Sequence, residues 1–257
     1  MTEPTGEDTR AIELEIEVAG TPEEVWEAIA TGPGISAWFV PTTVEERAEG
    51  AITQSFGEGE EMQVHGHVQG WEPPHRFAYG EQPEPTGGMA FEFLVEATDA
   101  GSCVVRLVNS GFGYGEGWDD QYDAMENGWR IFLQVLALHL RHFAGQPAAR
   151  VQAMAMVPAP DGADALWTSL LAGFEIDGDR IVAGPAAPLS GTIVFRGERV
   201  LVFLLDTPAP GTGFLAAEGS GEAFGVSLWL SLYGTDASAA AEREGASWHT
   251  WAASLAG

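Results

Sequence analysis

Between Ile12 and Val18 apolar and acidic residues alternate one for one, with Ile12, Leu14, Ile16 and Val18 set against Glu13, Glu15 and Glu17. A period of two predicts a strand with one buried face and one wet face. Thr21-Pro22-Glu23-Glu24 follows. There Thr21 serves as a cap, proline suits the first helical position, and Glu24 completes a capping box. The pattern predicts a helix that carries Val25, Trp26 and Ile29 inward and stops near Gly32-Pro33-Gly34.

From Gly50 to Asn109 short β-like runs are separated by Gly, Pro and Asp: Ala51 to Phe56, Met62 to Trp71, Arg76 to Gly80, Met89 to Glu96 and Cys103 to Asn109. In the fourth, Phe91, Phe93 and Val95 share one face while Glu92 and Glu96 share the other, as in an antiparallel meander. A glycine-rich turn, Gly111 to Gly117, leads to a long helix from about Asp119 to Phe143. On it Tyr122, Met125, Trp129, Phe132, Leu136 and Phe143 recur at heptad-like spacing, and Leu133 and Leu140 widen the stripe. Such a face must be covered, and the concave side of the preceding sheet is the nearest cover.

Gly145 to Ala149 reads as a linker, after which the plan repeats. Val151 to Val157 forms a strand. Asp161 or Asp164 caps a short helix with Leu166, Trp167, Leu170 and Leu171. Further β-like runs cover Ser190 to Arg196, Arg199 to Leu205 and Ala223 to Tyr233, and a last helix from about Ala239 to Leu255 aligns Trp248, Trp251, Ala252 and Leu255. Pro22 to Trp26 and Gly162 to Trp167 stand at equivalent places, as do Trp129 and Trp248. This predicts a degenerate duplication, with domains over residues 11–145 and 151–257, the second shorter. The rival is a single domain followed by an unrelated tail.

Charge narrows the function. The chain has 257 residues, and eleven basic residues, all Arg, stand against thirty-eight Asp and Glu, for a formal net charge of -27. Nucleic acid and anionic membranes are poor partners for such a surface. The single cysteine, Cys103, permits no internal disulfide and no cysteine-rich zinc site. Residues Met1 to Arg10 form a polar, acidic tail unlike a signal peptide, and no run of eighteen apolar residues occurs, so a cytoplasmic location is expected.

Several ordered segments carry a family likeness: Thr21-Pro22-Glu23-Glu24-Val25-Trp26, Trp38-Phe39, Gly70-Trp71-Glu72-Pro73-Pro74-His75-Arg76-Phe77, Asn109-Ser110-Gly111-Phe112 and Gly128-Trp129. From Ile12 to Phe143 the chain resembles the START-like SRPBCC superfamily, and within it the homologues of the activator of the heat-shock protein 90 ATPase. The resemblance implies an α+β helix-grip (Bet v 1-like) fold, with element order β-α-α-β-β-β-β-β-β-α and a cavity between a curved antiparallel sheet and the C-terminal helix. Such relatives include co-chaperone domains, polyketide cyclases and lipid carriers. The second half shares the plan without the Trp-Phe pair or the Glu-Pro-Pro turn.

The chain shows no phosphate loop, dinucleotide fingerprint or Gly-x-Ser-x-Gly elbow, and no cofactor is expected. His65 and His67, two apart on one strand, lack a third ligand and read as half-exposed strand residues, so no metal is expected. His139 and His142 are accounted for by the helix dipole at the end of the long helix. Cys103, beside Val104 and Val105, reads as an inert buried thiol. Gly111 to Gly117 reads as a flexible gate. The aromatics Trp38, Phe39, Trp71, Phe77, Tyr79, Phe91, Phe93, Trp118, Tyr122, Trp129 and Phe132 converge in the inferred fold, with Asp123, Glu126 and Asn127 to supply polarity. Three readings follow: a module that binds a small apolar molecule, a co-chaperone-like protein with a chaperone or other protein partner, and a cyclase- or hydrolase-type enzyme using Asp123, Glu126 or His65 as acid or base.

Overall fold

A computed structural model describes residues 10–57, 59–81, 88–98, 101–113, 115–219 and 221–257. All but Arg10 of the expected N-terminal tail lies outside them. The chain divides into two compact units, one ending at Gly145 and the other beginning at Gln146.

The first unit runs β1 (Arg10–Ala19), α1 (Pro22–Ala30), α2 (Gly32–Trp38), β2 (Thr42–Val44), β3 (Ala51–Ser55), β4 (Gln63–Glu72), β5 (Arg76–Gly80), β6 (Ala90–Ala97), β7 (Ser102–Phe112) and α3 (Glu116–His142). Its seven strands lie in the order β1-β7-β6-β5-β4-β3-β2. Period-two patterning decides the register. Leu14 pairs with Leu107 and Ile16 with Val105 on the inner face, while Arg106 reaches Glu13 and Glu15 at 3.4 and 3.2 Å on the outer one. Helix α3 closes over this sheet and packs against β1.

The capping box is present: the Glu24 amide donates to Thr21 Oγ1 at 3.3 Å and the Thr21 amide to Glu24 Oε2 at 2.8 Å. Helix α1 ends at Ala30, near the predicted stop, but Gly32-Pro33-Gly34 also begins a second helix. Extended Thr31 ends α1 and caps α2, accepting from the Gly34 amide at 3.0 Å and donating to the Glu27 carbonyl at 2.8 Å. Proline is at home in that first turn. A side chain at Gly34 would lie 1.9 Å from the Glu27 carbonyl oxygen, so only glycine lets the two helices meet so closely.

The glycine run before α3 is also not the free gate expected. Gly111 and Phe112 end β7, and Glu116 and Gly117 begin α3, leaving only a short link that includes Tyr114, which is outside the described residues. Gly111 has φ +103, and a Cβ there would meet the Gly88 carbonyl oxygen at 2.7 Å, so this glycine serves a close strand contact.

The second unit runs β8 (Ala149–Pro158), α4 (Ala163–Ala172), β9 (Glu175–Asp177), β10 (Arg180–Ala183), β11 (Ser190–Arg196), β12 (Val200–Thr207), β13 (Gly211–Glu218), β14 (Ala223–Leu232) and α5 (Ala237–Leu255). Its order, β8-β14-β13-β12-β11-β10-β9, repeats that of the first sheet strand for strand. The fold is a duplicated α+β helix grip, and α5 packs on β8 and β14 as the counterpart of α3. One helix, α4, stands where the first unit has two. It is capped by Gly162 with no side-chain hydrogen bond, so neither Asp161 nor Asp164 plays the predicted capping role. No helix of the described residues is long and apolar enough to cross a membrane.

Candidate ligand-binding site

In the first unit α3 is anchored by Trp129, 4% exposed, whose indole stacks on Phe39 (5.2 Å, 26°) and meets Phe91, Phe93 and Phe132 at 5.7, 5.9 and 6.4 Å. From there toward the C-terminus Leu133, Leu136, Leu140 and Phe143 are buried. Toward the N-terminus Met125 and Tyr122 are only half-buried. Under that less tightly packed end lies a cavity of about 170 Å³. Strand β3 contributes Ile52 and Gln54, with Phe56 just beyond it. Strand β4 gives Val64, His65 and Gly66; β5 gives Tyr79 and Gly80, followed by Glu81; Met89 and Phe91 come from β6 and its approach, and Met125 from α3.

Register explains the space. Ile52 faces Gly66 and Gln54 faces Val64 across β3 and β4, and Tyr79 faces Phe91 across β5 and β6. Gly66 brings no side chain to the lining, where a Cβ would come within 2.6 Å of the Gly80 carbonyl oxygen, and α3 contributes Met125. The walls are apolar and aromatic, with Tyr79 stacked on Phe91 at 5.1 Å and 24°. The polar pair is Gln54, whose amide donates to Tyr79 Oη at 3.3 Å. Burial pushes the Tyr79 hydroxyl well above its usual pKa, with the Gln54 bond opposing, so it stays protonated.

Of the residues expected at a site, Tyr79 and Phe91 line the cavity. Phe39, Phe93, Trp129 and Phe132 form the packed box beside it. Phe77 is fully buried, in edge contact with Trp26 and Trp71 at 6.2 and 5.8 Å, and Trp71 belongs to the same cluster. Trp38 is structural, its indole N–H donating to the Ala28 carbonyl at 2.9 Å. Trp118 is 39% exposed. Tyr122 donates to the Ala11 carbonyl at 3.2 Å, and the Arg10 guanidinium lies over its ring at 4.3 Å.

The polarity expected from α3 sits elsewhere: Asp123 and Asn127 are exposed, and Glu126 pairs with Arg130 at 2.6 Å. It is the sheet, through Gln54 and Tyr79, that supplies polar groups. The readable signal was Gln54 itself, which occupies the inward register between Ile52 and Phe56 in an otherwise apolar alternation. Gly66, Val64 and Met89 carried no such mark.

His65 alone of the suggested acids and bases lines the cavity. It is exposed, its Nδ1 3.0 Å from Thr53 Oγ1. Among the described residues no group of three His, Cys, Asp or Glu is placed to hold a metal. Cys103 is buried, its Sγ 3.4 Å from the Gly20 carbonyl oxygen; burial and the nearby Glu23 and Glu24 raise its pKa. The helix-dipole account fits exposed His142 but not His139, which is 1% exposed and whose pKa burial lowers to about 4, so it is neutral.

Residues 19–141, within the first unit, match the family described as activator of Hsp90 ATPase homolog 1-like protein. No curated protein matches the chain. Among solved structures it is similar to DynU16, a protein in the dynemicin biosynthetic locus (18% identity, 98% of this chain and 97% of that one, TM-score 0.45). It is also similar to the di-domain ARO/CYC BexL of the BE-7585A biosynthetic pathway (18% identity, 96% of this chain and 98% of that one, TM-score 0.45). The first unit's likeness includes the Aha1 dimer from Colwellia psychrerythraea (20% identity, 52% of this chain and 97% of that one, TM-score 0.44).

Proposed function

We propose that the first unit is a binding module that takes up a small, largely apolar molecule between its sheet and α3. The observation that carries this reading is the cavity of about 170 Å³, walled by Phe56, Phe91, Met89 and Met125 and provided with one polar pair. Apolar concavities with a few convergent polar groups are the usual form of small-molecule sites. The second unit, whose counterpart strands bury Ile181, Ile193, Leu201, Phe203 and Leu205, has no ligand site of its own in this reading. We also place the protein in the cytoplasm, where a reducing environment keeps its buried free thiol, Cys103, reduced.

Native mass spectrometry of the purified chain, with and without a panel of apolar metabolites, tests this. A retained or added small mass is expected with the parent protein. It should be lost in Met125→Trp, which fills the cavity, while circular dichroism stays that of the parent. No bound mass across the panel would sink the reading. It would favour a second one, an interaction protein of the co-chaperone kind, which the family match over residues 19–141 supports.

A further inference from the structure

Tyr79 and Gln54 carry three polar hydrogens between them, one on the phenol and two on the amide, and their mutual hydrogen bond uses one. Turning the amide over changes which group donates but not that count. Both residues are 5% exposed and both line the cavity, and no further acceptor for them is found among the described residues. A buried donor without an acceptor is costly, and natural structures rarely leave one unless something else fills the role. Two more buried atoms without partners adjoin Phe91: the Trp129 indole nitrogen, beside its ring, and Asn109 Oδ1, on the residue paired with it across β6 and β7. Unmet polar capacity thus gathers at the same end of the sheet as the cavity.

Resting on the ligand-binding reading above, we propose that the cavity selects a neutral aromatic carbonyl compound of one or two fused rings, its oxygen accepting hydrogen bonds from Tyr79 and Gln54. Size sets the first limit. An apolar cavity of about 150 Å³ holds benzene, so about 170 Å³ in a partly open pocket matches one or two rings. The walls set the second, because the Tyr79–Phe91 stack, Phe56 and the thioethers of Met89 and Met125 all favour an aromatic ring. Charge sets the third. Glu81 lies at the rim of a chain of net charge -27, which opposes a carboxylate but not a ketone.

The test compares indanone, indane and indane carboxylate as probes of the intact protein, with affinities from tryptophan fluorescence and ligand-observed NMR. Indanone is expected to bind about tenfold more tightly than indane, as one or two neutral hydrogen bonds allow, and the carboxylate more weakly than indanone. Tyr79→Phe and Gln54→Leu should each reduce the preference and the double variant should abolish it, so that either single variant gives a check should the other fail to fold. Equal binding of indanone and indane would overturn the carbonyl selection while leaving the cavity reading intact. Binding of palmitate as tight as that of indanone would overturn the size limit. Binding of none of the probes would overturn this inference, and an empty native mass spectrum would then remove the cavity reading with it.

Discussion

The two units share one topology, yet they use their interiors differently. In the first, the inner face of β3, β4 and β5 presents Gln54, Gly66 and Tyr79 beside an open space. In the second, the counterpart strands β10, β11 and β12 bury Ile181, Ile193, Leu201, Phe203 and Leu205 in a continuous apolar core. The paired tryptophans follow suit. Trp129 stands at the edge of a cavity, whereas Trp248 is 0% exposed, stacked on Phe174 at 6.5 Å and edge-on to Trp251 at 5.6 Å. Beside it a Cβ on Gly184 would lie only 2.7 Å from the Trp248 ring. Open depressions of the second unit lie along α5 beside Pro185 and Trp251, and between the end of β8 and α4 near Pro158, Leu166 and Leu255. Strand order therefore fixes where a cavity can be, and a handful of inward side chains decides whether one exists.

The sharpest way to break this comparison is to remove each tryptophan. Trp248→Ala should destabilise its unit by about 5 kcal/mol and Trp129→Ala by about 3 kcal/mol, because the cost grows with the void that neighbours cannot close. Urea unfolding followed by circular dichroism measures both. A loss below about 1 kcal/mol at Trp129 would mean that α3 is not seated as described.

Acid should separate the units next. Burial lowers the pKa of His139 from its usual 6.5 to about 4, so between these values the unfolded chain binds the extra proton. Its contribution is present in full above pH 6.5 and is lost as pH falls toward 4, on the order of 3 kcal/mol in all. The stability of the parent should fall more steeply over that range than that of His139→Leu. Equal slopes would mean that His139 does not titrate on unfolding.

A smaller effect is expected at the helix starts. Thr21→Ala removes the capping box of α1 and should cost about 1 kcal/mol, whereas α4 has no side-chain cap to lose. The smallest change should come from making the first unit resemble the second. With both partners of a buried hydrogen bond replaced by apolar groups, the double variant Gln54→Leu/Tyr79→Phe should stay within about 0.5 kcal/mol of the parent, while discrimination between indanone and indane disappears. A large loss of stability would show the pair to be structural.

Much of the fold was legible because its signals are local. The alternation in β1, the Thr21 capping box, the span of β5 and the apolar stripe of α3 each depend on neighbours within one or two turns. The element order that the family likeness implied, including α2 and β2, is the order found. What periodicity missed has physical reasons. Gly211–Glu218 is buried along nearly its whole length, so β13 shows no alternation. Strands β9 and β10 are three and four residues long, too short to show a period. Gly-Pro-Gly reads equally as a stop and as a first turn until Thr31 is seen to cap the next helix.

The site divides along the same line. Sequence by itself determined that an aromatic-rich sheet would face a long amphipathic helix, and that Tyr79, Phe91 and Trp129 would point into their interface, because side-chain direction follows from strand and helix periods. Only the tertiary structure decided that Trp129 packs against Phe39 and Phe91 beside the cavity, that Gly66 and Met125 both line it, and that Gln54 and Tyr79 meet in its wall. Such space is set by the difference between the volume the backbone encloses and the volume the side chains fill, and that difference belongs to no single segment of the chain.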